Sequence, residues 1–281
     1  MLTLPADVCD SHMHFYDSTC PVAASTVLRP PDATVAQYGQ LQAELGCRRV
    51  VVVQPTTYGL DNSCQLDAVA ELRQAAGVDT GSPDDPVRAV AVVNAATPEA
   101  ELQRLTELGV RGARFHMLPG GAVGWDDLEP VAAAIEPLGW HIQLQLNGRE
   151  LAEREAQLRA LPTTLVVDHV GRFMPPVATT DENFAALARL LDGGSTWVKL
   201  SAPYESSVDG PPEYGDTTTL ARALLAAYPE RMLWATNWPH PGQGQPPSPS
   251  DLQRLLTAWI PEESRQQVLV DNPATLYGFG S

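Results

Sequence analysis

The chain has 281 residues, 44% of them hydrophobic, and 34 acidic side chains against 18 Lys and Arg give a formal net charge of −16. Its length allows a large buried core, and α/β barrels of this size are commonly a single domain. The acidic balance argues against nucleic acid and anionic membranes as partners, and no apolar run approaches the roughly 18 residues needed to span a bilayer.

The opening segment Met1-Leu2-Thr3-Leu4-Pro5 carries no basic stretch or long apolar run, so no signal peptide is expected. The first apolar run, Val8 to Phe15, contains His12-x-His14, a spacing that turns both imidazoles to one face of a strand. Seven more short runs follow: Arg49 to Gln54, Arg88 to Val93, Val110 to His116, Trp140 to Leu146, Thr164 to His169, Thr196 to Ser201 and Met232 to Asn237. Several are almost continuously apolar, as in Val50-Val51-Val52-Val53, which suits parallel strands buried on both faces. Between them, Thr34 to Leu45, Pro98 to Leu108, Leu128 to Leu138 and Thr180 to Leu191 place apolar residues three and four apart, as helices do. Eight strands alternating with helices close most simply into a single-domain (β/α)8 TIM-type barrel over residues 1–281, an α/β fold. A doubly wound open sheet is the alternative, but its Gly-rich dinucleotide turn is missing.

Four cysteines, Cys9, Cys20, Cys47 and Cys64, show no C-x-x-C spacing and read as reduced thiols of a cytoplasmic protein. A homo-oligomer is left open.

In a barrel the C-terminal strand ends converge on one face. Those ends offer His12 and His14, then Gln54 with Thr56 and Tyr58, Arg114 with His116, Gln143 with Gln145 and Asn147, Asp168 with His169, Lys199 with Ser201, and Asn237. A lysine inside Trp197-Val198-Lys199-Leu200 is costly to bury without a partner or a purpose. Asp168 directly precedes His169, so strand alternation turns it away from the site and towards a structural role. His116 and His141 read as structural or peripheral.

His12-x-His14, Asp168-His169 and Asn237-Trp238-Pro239-His240 resemble the amidohydrolase superfamily over nearly the whole chain. Val53-Gln54 with Gly59-Leu60-Asp61-Asn62, and Gly112-Ala113-Arg114-Phe115, are similar to its lactonase branch, typified by the 2-pyrone-4,6-dicarboxylate hydrolases. Leu118-Pro119-Gly120-Gly121-Ala122-Val123, Tyr204-Glu205-Ser206-Ser207 and Trp234-Ala235-Thr236-Asn237 resemble still more closely the galactarolactone isomerases, from which His12 departs in place of glutamine.

The resemblance implies a metal-free enzyme without cofactor, acting on a small sugar-acid lactone. Metal-dependent members add a strand-eight aspartate, where this chain has Asn237; His12, His14 and His169 alone leave a zinc site open but weak. In the hydrolases that aspartate activates water, which an amide cannot do. An isomerase does not need it, because the free 4-hydroxyl of an aldaric 1,5-lactone can attack C1 and give the 1,4-lactone. His14, His169 and Lys199 are then expected to polarise the carbonyl and Asn237 to hold a hydroxyl or carbonyl. Arg114 is expected to bind the free carboxylate, while His12, Thr56, Tyr58, Gln145, Asn147, Tyr204 and His240 line the substrate. Further arginines, which a flat diacid would need, are not expected near Gly120 and Glu205. The alternatives are a metal-free lactone hydrolase and a non-catalytic barrel that binds a sugar acid.

Overall fold

The computed structural model describes residues 4–280. Its eight strands are β1 (Val8–Met13), β2 (Cys47–Val53), β3 (Val87–Ala91), β4 (Val110–His116), β5 (His141–Gln145), β6 (Leu165–Val167), β7 (Thr196–Leu200) and β8 (Met232–Trp234). They pair in chain order, each parallel to the next. The seam between β8 and β1 is closed by hydrogen bonds from Asn237 N to His12 O (2.9 Å), His14 N to Trp238 O (2.8 Å) and Ser11 Oγ to Trp234 O (2.7 Å). The result is the expected (β/α)8 barrel.

The valine run of β2 shows why these segments are strands. Val51 and Val53 point inward, with Cys9, Val90, Val166, Trp197 and Leu233, while Val50 and Val52 join the outer layer against the helices. Tyr277 and Phe279 complete the inner cluster. Arg88, near the start of β3, donates to the Gly278 carbonyl, so the C-terminal segment stoppers the end of the barrel where strands begin.

Helices follow the strands: α1 (Val35–Leu45), α2 (Ser63–Ala76), α3 (Glu99–Glu107), α4 (Trp125–Ile135), α5 (Leu151–Arg159), α6 (Glu182–Asp192), α7 (Gly215–Ala227) and α8 (Pro249–Trp259). Thr34 and Ser248 start α1 and α8 through capping boxes. The helix expected over Leu128 to Leu138 begins earlier and stops at Ile135, because Pro137 has no N–H with which to continue it.

Strands β6 and β8 are shorter than expected. The chain turns out of them at residues in the left-handed region, His169 (φ 56°) and Asn237 (φ 58°). The cysteine expectation is corrected: Cys20 and Cys64 are joined in a disulfide, fastening the loop after β1 to the start of α2. Cys9 and Cys47 are free and buried.

Candidate active site

Strand β1 delivers the first groups. Asp10 points outward and takes hydrogen bonds from Thr236 N (2.9 Å), Thr236 Oγ1 (2.6 Å) and Tyr38 of α1 (3.1 Å). Two residues later His12 points inward, because the pairing with β2 is irregular between Asp10 and Met13 and resets the alternation. Asp10 thus pins the β8 tip from behind while His12 and His14 enter the barrel.

Beneath the pocket lies a closed polar network. Lys199 is completely buried and donates to Ser11 O (2.8 Å) and Gln143 Oε1 (2.7 Å). That contact fixes the Gln143 amide, whose nitrogen faces Asp168 Oδ2 (3.0 Å) and His12 Nδ1 (3.2 Å). His12 Nε2 meets His14 Nε2 at 3.2 Å, and His14 Nδ1 donates to the Val53 carbonyl at 2.7 Å. Since that carbonyl only accepts, His14 carries its hydrogen on Nδ1, and its Nε2 faces His12. Burial depresses the basicity of both imidazoles well below the ordinary value. Burial also lowers Lys199 to about 8, against the pull of Asp168 3.8 Å away. Burial raises the Asp168 carboxyl, but His12 and Lys199 outweigh it and hold it well below the usual range.

Above this network opens a cavity of about 440 Å³ whose walls include His14, Tyr16, Thr56, Arg114, His116, Gln145, Arg172, Tyr204, Glu205 and Asn237. Arg114 donates to Gln54 O and Gln145 Oε1, each at 2.7 Å, and no ion pair to it occurs among the described residues. Glu205 Oε2 is held by Arg172 Nε (2.7 Å) and Gln145 Nε2 (2.8 Å). Its Oε1 lies 3.5 Å from Asn237 Nδ2 and 3.7 Å from His169 Nε2. Burial raises Glu205, but His169 and Arg172 more than offset this and leave it below the ordinary value. Asn237 also donates to Tyr204 Oη (3.0 Å), which faces His240 Nδ1 at 3.0 Å. Asn237 Oδ1 is buried with no hydrogen-bond partner among the described residues. His169 rests its Nδ1 on Ser201 Oγ at 2.8 Å, and burial lowers its basicity.

Of the residues expected at the site, His14, Thr56, Arg114, Gln145, Tyr204 and Asn237 wall the cavity, as does His116, expected to be peripheral. His12, His169 and Lys199 lie below it. Lys199 is therefore corrected from a direct contact to the substrate carbonyl: both its hydrogen bonds hold the floor. His240 stands behind Tyr204. Tyr58 and Asn147 are placed elsewhere: Tyr58 Oη takes the Asp17 N–H (2.9 Å), and Asn147 caps the turn at Arg149 and accepts from Met174 N.

The outward orientation expected for Asp168 is also corrected. The strand stops at Val167, so alternation no longer applies, and Asp168 and His169 converge on one network. Glu205 and Arg172 were not anticipated. Both sit on irregular loop turns without periodicity, and the only sequence signal is a polar Tyr204-Glu205 pair just after β7.

His12, Asp168 and His169 bring ligand-type atoms within 4.8 Å of one another. The set does not suit a divalent ion. The Lys199 ammonium already compensates Asp168, the two β1 imidazoles bond to each other, and position 237 supplies an amide instead of an anion.

Residues 9–279 match the profile of the Amidohydrolase family, and the chain belongs to that family. It is 33% identical to D-galactarolactone isomerase of Agrobacterium fabrum over 279 residues, 97% of this chain and 91% of that protein. It is 35% identical to 2-pyrone-4,6-dicarboxylate hydrolase of Comamonas testosteroni over 291 residues, 98% and 91% of the two chains. An apo crystal structure from Agrobacterium tumefaciens superposes with a TM-score of 0.85 at 32% identity, covering 98% of this chain and 97% of the other.

Proposed function

We propose that the chain is a metal-independent sugar-acid lactone isomerase that converts D-galactaro-1,5-lactone to the 1,4-lactone by intramolecular acyl transfer. Asn237 carries this reading. It sits at the β8 tip on the cavity wall, where an aspartate would activate water, and an amide has no basic oxygen with which to do so. The substrate then supplies its own nucleophile, with an effective molarity that reaches roughly 10⁵ M or more in well-oriented systems.

The charge of the cavity supports a monoanionic polyol. Arg172 lines the wall, correcting the expectation that no second arginine is present, but Glu205 neutralises it. Arg114 is left as the cation for a single carboxylate, in a bidentate geometry that its fork provides. Thr56, Tyr16 and Gln145 supply hydroxyls and an amide for the remaining oxygens. The similarity to D-galactarolactone isomerase favours the same chemistry. A cytoplasmic setting was expected from four reduced thiols, and the Cys20–Cys64 bond removes that ground.

The second reading is a metal-free lactone hydrolase, favoured by the comparable identity to the 2-pyrone-4,6-dicarboxylate enzyme. One experiment decides. The protein, exhaustively treated with chelator, is incubated with D-galactaro-1,5-lactone under NMR with a pH indicator. The 1,4-lactone should accumulate without proton release. Open-chain acid formed with stoichiometric acidification rejects the isomerase and supports the hydrolase, and no catalysis until a divalent metal is restored rejects metal independence.

A further inference from the structure

We propose that Glu205 is the proton-transfer group of this site, taking over the acid–base role that residue 237 cannot fill; the proposal rests on the lactone-isomerase reading above. Three observations carry it. First, Glu205 is the one carboxylate on the cavity wall among the described residues. Second, its two oxygens are treated differently. Oε2 is anchored by Arg172 and Gln145, whereas Oε1 has only Asn237 Nδ2 at 3.5 Å and His169 Nε2 at 3.7 Å. A doubly held carboxylate with one free oxygen is positioned to exchange a proton without reorienting.

Third, the histidine at the floor of the cavity has both ring nitrogens engaged. His14 uses Nδ1 on the Val53 carbonyl and Nε2 on His12. His116 donates Nδ1 to Gln145 Oε1 and so braces the amide that anchors Glu205 Oε2. Asn237 fits this assignment from the other side: an aspartate there would set a second carboxylate against Oε1, and like charges that close do not both ionise. An amide instead offers its N–H to Glu205.

The step balances with no co-reactant. As the lactone 4-oxygen forms its bond to C1, its hydrogen passes to Glu205 Oε1. The tetrahedral adduct then collapses by breaking C1–O5, and the same proton moves from the Glu205 carboxyl to O5. The enzyme ends in its starting protonation state, and no water is consumed.

The test compares wild type, Glu205→Gln and Glu205→Ala on D-galactaro-1,5-lactone, with substrate binding followed by NMR line broadening. Glu205→Gln keeps an oxygen for Arg172 and Gln145, so KM should stay within about threefold while kcat falls by about 100-fold or more. Added formate should partly restore kcat to Glu205→Ala in a saturable manner, a response that a merely structural role would not give. A folded Glu205→Gln with near wild-type kcat overturns the proposal. If Glu205→Gln does not fold, absence of formate rescue in folded Glu205→Ala overturns it instead. Wild type inactive on the lactone rejects the isomerase reading, and this proposal falls with it; wild type active with Glu205→Gln unimpaired rejects this proposal only.

Discussion

Arg114 and Lys199 are two buried cations with opposite duties. Arg114 reaches the cavity wall with both visible hydrogen bonds spent on neutral oxygens, whereas Lys199 is sealed beneath the floor against Gln143 and Asp168. Replacing Arg114 with Gln should therefore act on binding. We expect KM for a monoanionic lactone to rise about 10- to 100-fold, the worth of one charged hydrogen bond, with kcat much less affected. Steady-state kinetics checks this, and an unchanged KM would mean that the carboxylate binds elsewhere. At this scale the sequence was partly legible. The polar ends His12, His14, Arg114, His169 and Asn237 could be read because each closes an apolar run. Asp168 was misread because alternation assumes an unbroken strand, and the chain kinks one residue later. Glu205 and Arg172 lie in turns where nothing periodic marks a direction.

Among the elements, the loop after β1 is held by a covalent tether. It supplies Val27 and Leu28 to the cavity wall and is tied by Cys20 to Cys64 on α2, across a sequence separation of 44. Loop-closure entropy for such a span predicts that reduction costs roughly 2–4 kcal/mol of stability. Urea melts with and without dithiothreitol, and on Cys20→Ser, should show that loss, together with a raised KM as the wall loosens. Equal melts would mean the pair is not bonded in solution. Strand placement was well read from hydrophobic runs, since burial on both faces leaves a signal that local propensity cannot erase. The ends of β6 and β8 were not, because they are set by left-handed residues that carry side chains, not by the glycines or prolines that mark turns in a sequence.

For the whole molecule, all six histidines are shifted in the same direction. His12, His14, His116, His141, His169 and His240 are all less basic than free imidazole, chiefly through burial, with His141 lowered to about 3 and His240 to about 4. The unfolded chain takes up these protons below about pH 6.5, whereas the folded one does not until much lower. Stability is thus fully present above pH 6.5 and is lost as pH falls, by about 1 kcal/mol between pH 7 and 5.5 for each of His116, His141 and His240. Urea midpoints at those two pH values measure it, and an unchanged or higher midpoint at pH 5.5 would refute it.

The two rims of the barrel are built differently. Where the chain enters strands β2 and β4 it turns on Gly46 (φ 68°) and Gly109 (φ 91°), which adopt that geometry without a side-chain penalty. Where it leaves strands β6 to β8 it turns on His169, Val170, Ala202, Asn237 and His240, all with positive φ and all bearing side chains. Such residues raise the energy of the folded state, by about 1 kcal/mol or more each outside glycine and asparagine. The two rims therefore tolerate change unequally. The glycine rim can drift only at a loss of folding, while at the other rim a glycine would relax the backbone and, at His169, Asn237 or His240, remove a polar side chain of the site in the same stroke. Selection for heat resistance alone would push this chain towards an inert barrel.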